Sequence, residues 1–199
     1  MPSQDSVIRA LADAWAGQPD LSITQLLMQV ENHHGGPGAS DEEFLHVCQA
    51  LASRYMARLP NGADFPVDAA YYLRTCSAEV IVNAQSVAIL REGSAPSMWR
   101  YNSVGSAEVG NELVLVDSNL HRYAYGRVKS IRPAGTNNQL VKTSECIALI
   151  SATGSTLWFQ GRRATEILRL RDTPGALALG EVMMLGGRNC GIVQGLMSF

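Results

Sequence analysis

Residues 110–131 read GNELVLVDSNLHRYAYGRVKSI, and this stretch indicates how the second half of the chain folds. The apolar run at 112–116 and the alternating run at 123–131 are separated by the turn-forming letters DSN. Similar short runs, separated by Gly, Asn, Asp, Ser or Pro, continue towards the C-terminus at 139–142, 146–150, 156–159, 167–170, 182–185 and 192–197. The spacing predicts an antiparallel β-barrel or β-sandwich, which we place in a β-rich domain over residues 93–199.

The front of the chain has a helical pattern instead. Apolar residues recur at helical spacing over 6–16, 22–31 and 41–58, and Ser40 with Glu43 forms a capping-box pattern before the third run. The glycine-rich residues 33–39 predict a loop between the second and third helices. We therefore expect a helical domain over residues 1–65 and an α+β protein as a whole.

The segment that joins these two parts is ambiguous. Residues 66–92 begin with a proline that suits the first turn of a helix, yet they contain β-branched runs. We predict a linking helix or strands here, with helix through about residue 75 and either more helix or two strands after it. No repeat of fixed period is evident along the chain.

Composition and charge exclude a disordered chain. Of the 199 residues, 46% are hydrophobic and 17% are charged, which is enough apolar material for a packed core. Residues 1–65 hold eight acidic and three basic residues, whereas residues 66–199 hold ten acidic and thirteen basic ones. The two parts therefore suit different partner surfaces.

No stretch reaches the roughly 18 apolar residues that a membrane span requires, and the first residues carry charges where a secretory signal is apolar. We therefore expect a cytoplasmic protein that does not bind or cross a membrane. The four cysteines form no C-x-x-C pair, which favours reduced and mostly buried thiols. We expect neither a metal site nor a cofactor.

A resemblance covers residues 6–52. Trp15, then PDL at 19–21, QLL at 25–27 and DEEFL at 41–45 stand in an order that resembles short helical bacterial proteins of uncharacterised function. The resemblance implies a small helical hairpin in a bacterial protein and implies no activity.

A second resemblance concerns residues 97–142. Ser97-Met98, then GNELVLV at 110–116, GRV at 126–128 and LVK at 140–142 resemble the order of motifs in serine-lysine peptidases, which include self-cleaving repressors and signal peptidases. The resemblance implies a β-domain in which Ser97 is the nucleophile and Lys142 accepts its proton. Such a lysine must be desolvated, because burial disfavours the charged ammonium. The alternative is a serine in a turn and an exposed lysine on a strand.

The run at 123–131 offers a third site. In a regular strand, side chains alternate with period two, so Tyr123, Tyr125, Arg127 and Lys129 would share one face. Aromatic rings between cations suit single-stranded nucleic acid, because bases stack on the rings and phosphates meet the charges. Four further arginines could enlarge this surface if they lie nearby, namely Arg162, Arg163, Arg169 and Arg171. The alternative is an ordinary solvent-facing strand.

These patterns favour a non-catalytic function. We expect a binding or assembly module with a protein partner, in which the apolar C-terminal residues 192–199 could support self-association into an oligomer. Binding of single-stranded nucleic acid and serine-lysine hydrolysis are the alternatives.

Overall fold

The structure is a computed structural model of the 199-residue chain and describes residues 2–34, 38, 40–60, 65, 66, 69–161 and 165–199. Three helices come first: α1 (Gln4–Ala16), α2 (Ile23–His34) and α3 (Asp41–Arg54). They confirm the predicted helical N-terminal part. The predicted loop over 33–39 is wrong at its start, because residues 33 and 34 still belong to α2, and residues 35–37 and 39 lie outside the described residues.

Hydrogen bonds at the first turns show why two of these helices begin where they do. The hydroxyl of Ser3 accepts from the backbone N–H of Ser6 at 3.2 Å. At α3 the predicted capping box is present: the N–H of Glu43 donates to Ser40 at 3.3 Å, and the N–H of Ser40 donates to the Glu43 carboxylate at 2.8 Å. The apolar stripes of the three helices pack together around Ala10, Ala14, Leu26, Val30, Cys48 and Leu51.

The prediction that the third helix continues to residue 58 is wrong. The backbone beyond Arg54 becomes extended and pairs with a distant segment: the N–H of Leu59 donates to the carbonyl of Ala107 at 2.9 Å, and the N–H of Val109 donates to that of Ala57 at 2.8 Å. This pairing satisfies backbone groups that a longer helix would have paired internally.

Strands follow to the C-terminus, and their antiparallel pairing confirms the α+β class. The described residues form thirteen strands: β1 (Ala70–Thr75), β2 (Glu79–Asn83), β3 (Ser86–Leu90), β4 (Ser97–Arg100), β5 (Ser103–Ser106), β6 (Glu112–Val116), β7 (Arg122–Pro133), β8 (Gln139–Thr143), β9 (Cys146–Ser151), β10 (Gly154–Gln160), β11 (Thr165–Leu170), β12 (Val182–Leu185) and β13 (Arg188–Ser198).

The linking segment consists of strands. A helix through residue 75 was the wrong alternative, because Tyr71, Leu73 and Thr75 are buried at every second position of β1, which is the period of a strand. After residue 78, β2 and β3 confirm the two-strand alternative. The patterns do not predict β4 and β5, which are only four residues long and rich in serine.

Contacts divide the chain into two compact units. The first unit comprises Met1–Asn61, Leu73–Ser77 and Ser103–Pro133, so the three helices belong with β5, β6, β7 and the second half of β1. Its strands pair in the order β1-β7-β6-β5. The predicted division into domains 1–65, 66–92 and 93–199 stays a prediction about independent folding.

The second unit comprises Gly62–Tyr72, Ala78–Asn102 and Ala134–Phe199. The strands before residue 103 pair in the order β4-β3-β2-β1, and the later ones form a six-stranded sheet in the order β11-β10-β9-β8-β13-β12. One core cluster joins the two sets of strands through Ile81, Ala88, Met98, Leu140, Ile147 and Met197. A second cluster lies within the six-stranded sheet and includes Val141, Ala148, Leu157, Met183 and Val193.

The strand arrangement occurs twice in the chain, although no repeat was predicted. In residues 70–133 the pairing runs β4-β3-β2-β1-β7-β6, and in residues 139–198 it runs β11-β10-β9-β8-β13-β12, with each strand in the same chain order. Equivalent residues make equivalent bonds. Thr75 and Thr143 are both 5% exposed, and their hydroxyls accept from the N–H groups of Ser77 and Glu145, each at 3.2 Å.

Two glycines anchor the equivalence of β6 with β12. Gly110 has a φ of +89° and Gly180 a φ of +84°, a left-handed conformation that favours glycine at both positions. The N–H of Gly110 donates to the carbonyl of Val128 at 2.8 Å, and the N–H of Gly180 donates to that of Val193 at 2.9 Å. Counting from these glycines sets the correspondence of the residues around them.

Candidate functional site

A polar groove in the second unit contains the predicted pair Ser97 and Lys142. Two cavities, of about 290 and 400 Å³, share Met98 of β4, Lys142 of β8 and Gln194 of β13 in their walls, and we call them together the Lys142 groove. Ser97 lines the larger cavity. The fold therefore brings together two residues that lie 45 positions apart in the sequence.

Lys142 is held in place rather than free in solvent. Its side chain is half-buried, and its ammonium donates to the main-chain carbonyl of Met98 at 3.2 Å. Gly195 faces it on β13, where an added Cβ would lie 3.3 Å from the sulfur of Met98 and 3.7 Å from the Cβ of Lys142. The missing side chain at Gly195 leaves room for the lysine beside Met98.

Ser97 is exposed at the start of β4. In the described part of the chain, no hydrogen bond joins its hydroxyl to Lys142, whose ammonium bonds to the carbonyl of the next residue, Met98. A hydroxyl in hydrogen-bond contact with the amine is what a serine-lysine pair requires. The structure places the two residues in one cavity, and their catalytic pairing stays a prediction.

One end of the groove lies at the turn that joins β8 to β9, where Thr143 and Cys146 are buried. The hydroxyl of Thr143 accepts from the N–H of Cys146 at 2.9 Å and donates to the carbonyl of Cys190. Burial raises the pKa of the Cys146 thiol, and burial together with the neighbouring Cys146 raises the pKa of Cys190 to about 11. Both groups are therefore neutral thiols at neutral pH, which suits packing and not nucleophilic attack.

The predicted row of aromatic and basic side chains is only partly present, because a bulge interrupts β7. Glu112 of β6 faces Arg127, whereas Val114, two residues on, faces Ala124, so β7 holds one extra residue between these pairs. Arg127 and Ala124 therefore share the face of Glu112 and Val114, whereas Tyr123 and Tyr125 lie on the opposite face, where Tyr125 is 8% exposed. The prediction of one shared face is thus wrong, because the two tyrosines lie on one face and Arg127 and Lys129 lie on the other.

Tyr123, Arg127 and Lys129 remain exposed on β7. The phenol of Tyr123 donates to the carboxylate of Asp117 at 3.1 Å, and this hydrogen bond raises the pKa of Tyr123. Desolvation raises the pKa of Asp117, but bonds from the backbone of His121 and Asn119 and from Tyr123 outweigh it, so the net shift is downward.

Of the four further arginines of the predicted surface, Arg169 on β11 and Arg171 after it are exposed, whereas Arg162 and Arg163 lie outside the described residues. The role of these arginines stays a prediction.

A third surface, which the sequence patterns suggested only faintly, lies on the hairpin of β12 and β13. Val182, Met184 and Ile192 are 53%, 54% and 49% exposed, and Val182 pairs directly with Ile192 across the two strands. We call these three residues the hairpin face. The alternate residues Met183 and Leu185 point into the core. The available signal was an uncharged stretch over residues 182–187, since edge strands commonly carry charges.

Within the described ranges, no group of three or more His, Cys, Asp or Glu side chains could hold a metal ion. The helices of the described chain are too short or too polar to cross a membrane.

Comparison with models of protein families, with curated proteins and with solved structures found no match.

Proposed function

We propose that the chain is a non-catalytic binding or assembly module that holds another protein chain against the hairpin face. The observation that carries this proposal is the half-exposure of three large apolar side chains that adjoin one another on one hairpin. Single exposed apolar residues are common, whereas adjoining ones that a fold leaves in water often mark a contact surface. Covering each of the three would contribute about 1 kcal/mol, because about half of each side chain is still exposed.

The location of the hairpin in the sheet supports the proposal. β12 is the last strand of the six-stranded sheet, and of the described strands only β13 pairs with it. A partner that covers the hairpin face could be a second copy of the chain or a different protein. The four free thiols favour a reducing compartment, so we place this binding in the cytoplasm.

The proposal is tested by removing the apolar side chains of the hairpin face. Peptides would be selected from a displayed library against the wild-type protein, and sedimentation velocity would follow self-association from micromolar to millimolar concentration. We expect binding or self-association that weakens about tenfold in a Val182→Ser, Ile192→Ser double variant, equal to about 1.4 kcal/mol.

Ile8→Ser is the control, because Ile8 is 66% exposed on α1, in the first compact unit. The control should bind as the wild type does. A protein that shows neither self-association nor any selected peptide dependent on Val182 and Ile192 would refute the proposal.

A second candidate function is serine-lysine hydrolysis, favoured by the shared cavity of Ser97 and Lys142. A fluorophosphonate probe should label Ser97 if the lysine activates it, and Lys142→Met should abolish labelling. Ser94→Ala serves as a control for a nearby exposed serine. An unlabelled wild-type protein would eliminate this candidate and leave the binding proposal intact.

A further inference from the structure

The two copies of the strand arrangement differ at one edge. In the first copy, β5 pairs with the outer side of β6, with Val104 opposite Leu115 and Ser106 opposite Val114. In the second copy, β12 stands in the place of β6, and the sheet order ends there. Counting from Gly110 and Gly180, the segment equivalent to β5 is residues 173–176, and these residues form no strand.

The second segment differs from β5 in sequence and in contact. Residues 103–106 read SVGS, and residues 173–176 read TPGA, so Pro174 stands where Val104 stands in the first copy. An added Cβ on Gly105 would lie 3.2 Å from the side chain of Val114, whereas one on Gly175 would meet nothing within 4 Å, so residues 173–176 do not cover β12 as β5 covers β6.

The side chain that a strand in the position of β5 would cover is exposed in the second copy. Val114 is 8% exposed in the first copy, and its equivalent Met184 is 54% exposed in the second. Leu113 and Met183, the residues before them, are both fully buried. The strands β6 and β12 therefore direct equivalent faces towards their cores. The exposure of Met184 thus follows from the absent neighbour and not from a different placement of β12.

The backbone of Met184 also faces outward. Leu185 and Arg188 flank the two-residue loop Gly186–Gly187, and the residues that flank such a loop direct their backbone groups towards each other. The next residue along the strand, Met184, therefore directs its N–H and C=O groups away from β13. These groups can pair with an added strand.

We infer that β12 binds an extended, uncharged segment of a partner protein as an additional antiparallel strand, in the place that β5 takes on β6. This inference rests on the proposed function, because it specifies how a partner covers the hairpin face. The segment is uncharged because residues 182–187 carry no charge to pair with one. Small residues suit it, as Gly105 does against Val114.

The test uses a blocked peptide with the sequence of residues 101–107, YNSVGSA, at millimolar concentration. Nuclear magnetic resonance would follow the hydrogen exchange of backbone amides in the intact chain. We expect the peptide to slow the exchange of the Met184 amide at least about fivefold. The matched peptide YNSVGPA carries proline at the position of Ser106, which pairs with Val114 in the first copy. It lacks the N–H that would pair with Met184 and should leave that exchange unchanged.

Two variants of the protein test the same edge from the other side. Met184→Pro removes the outward N–H and should abolish peptide binding, whereas Met184→Val keeps both the N–H and an apolar side chain and should retain it.

Each outcome bears on the inference. It fails if YNSVGSA changes no amide of β12, or if Met184→Pro binds the peptide as well as Met184→Val does. If slow exchange at Met184 depends on protein concentration alone, a second copy occupies the edge and the partner segment is wrong. If Val182→Ser, Ile192→Ser abolishes binding and Met184→Pro does not, the hairpin face binds without strand addition, and only the proposed function survives.

Discussion

Gly126 places the tyrosines of β7 and the cations that follow them on opposite faces. Its φ of +82° allows the bulge between them, and a side chain at this position would meet the turn after β1. The rule that alternate residues share a face fails here because the bulge inserts one extra residue. A lone glycine inside a strand pattern was the available signal.

We predict that Gly126→Ala destabilises the protein strongly. The added Cβ would lie 2.7 Å from the sulfur of Cys76 and 2.9 Å from the hydroxyl of Ser77, in addition to the strain of a left-handed backbone. The expected loss in the free energy of unfolding is about 2 to 4 kcal/mol, measured by urea denaturation.

Gly110→Ala is the matched control for backbone strain alone. Its φ is +89°, and an added Cβ would meet nothing within 4 Å, so the expected loss is about 1 to 2 kcal/mol. Equal losses in the two variants would show that the crowding at Cys76 and Ser77 has no energetic effect.

At the scale of elements, β7 makes a specific prediction about nucleic acid. Tyr125 is 8% exposed and cannot stack on a base, so β7 can contribute to single-strand affinity mainly through the exposed cations Arg127 and Lys129. Arg127→Ala with Lys129→Ala should remove binding to an oligonucleotide at low salt, with stability changed by no more than about 0.5 kcal/mol per residue. Salt-titrated binding that is absent in the wild type would exclude the nucleic-acid alternative.

Tyr125→Ala should act on stability instead. Removal of a buried aromatic side chain costs about 3 to 5 kcal/mol, which thermal denaturation would detect. A Tyr125→Ala variant that melts like the wild type would contradict its buried position.

Helices and strands were predictable where the residues within them determine the local structure. The strands from β6 onwards match the runs between turn residues, and the Ser40 capping box marks the start of α3. The end of α3 and the nature of β1 were not predictable, because both depend on pairing with segments far along the chain. The repeat was also missed, since its equivalent positions keep glycine and threonine but change most other residues.

For the whole molecule, the four cysteines give a prediction about reactivity. Cys76 is exposed, whereas Cys48, Cys146 and Cys190 are buried. A thiol reagent such as Ellman's should modify one group rapidly at pH about 8 and the other three only on unfolding, and Cys76→Ser should remove the rapid phase. Rapid modification of any thiol in that variant would contradict the buried positions.

The same thiols predict a loss of stability in alkali. Burial raises the pKa of Cys190 to about 11. The contribution of the neutral Cys190 thiol to the free energy of unfolding is therefore fully present below the ordinary thiol pKa of about 8.5, and it is lost as the pH rises towards 11. The free energy of unfolding should therefore fall over this range, and Cys190→Ala should flatten the fall. An equal slope in that variant would assign the effect to other groups.

The candidate sites show how far sequence reasoning reaches at this scale. The order of motifs suggested Ser97 and Lys142, and the fold brings both to one cavity. The bond from Lys142 to the carbonyl of Met98 could not be predicted, because it depends on the placement of β4 beside β8 and β13. The open side of β12 was also not predictable, because it depends on the lack of pairing by residues 173–176.

The two copies of the strand arrangement do not coincide with the two compact units. The chain therefore cannot be divided into stable fragments at the boundary between the copies. Ile81, Ala88 and Met98 come from the first copy, yet they complete an apolar cluster with Leu140 and Met197 of the second. A fragment that starts after residue 133 would contain an entire copy and still expose this cluster to water. Such a fragment should be recovered in inclusion bodies, and co-expression with residues 1–133 should return it to the soluble fraction.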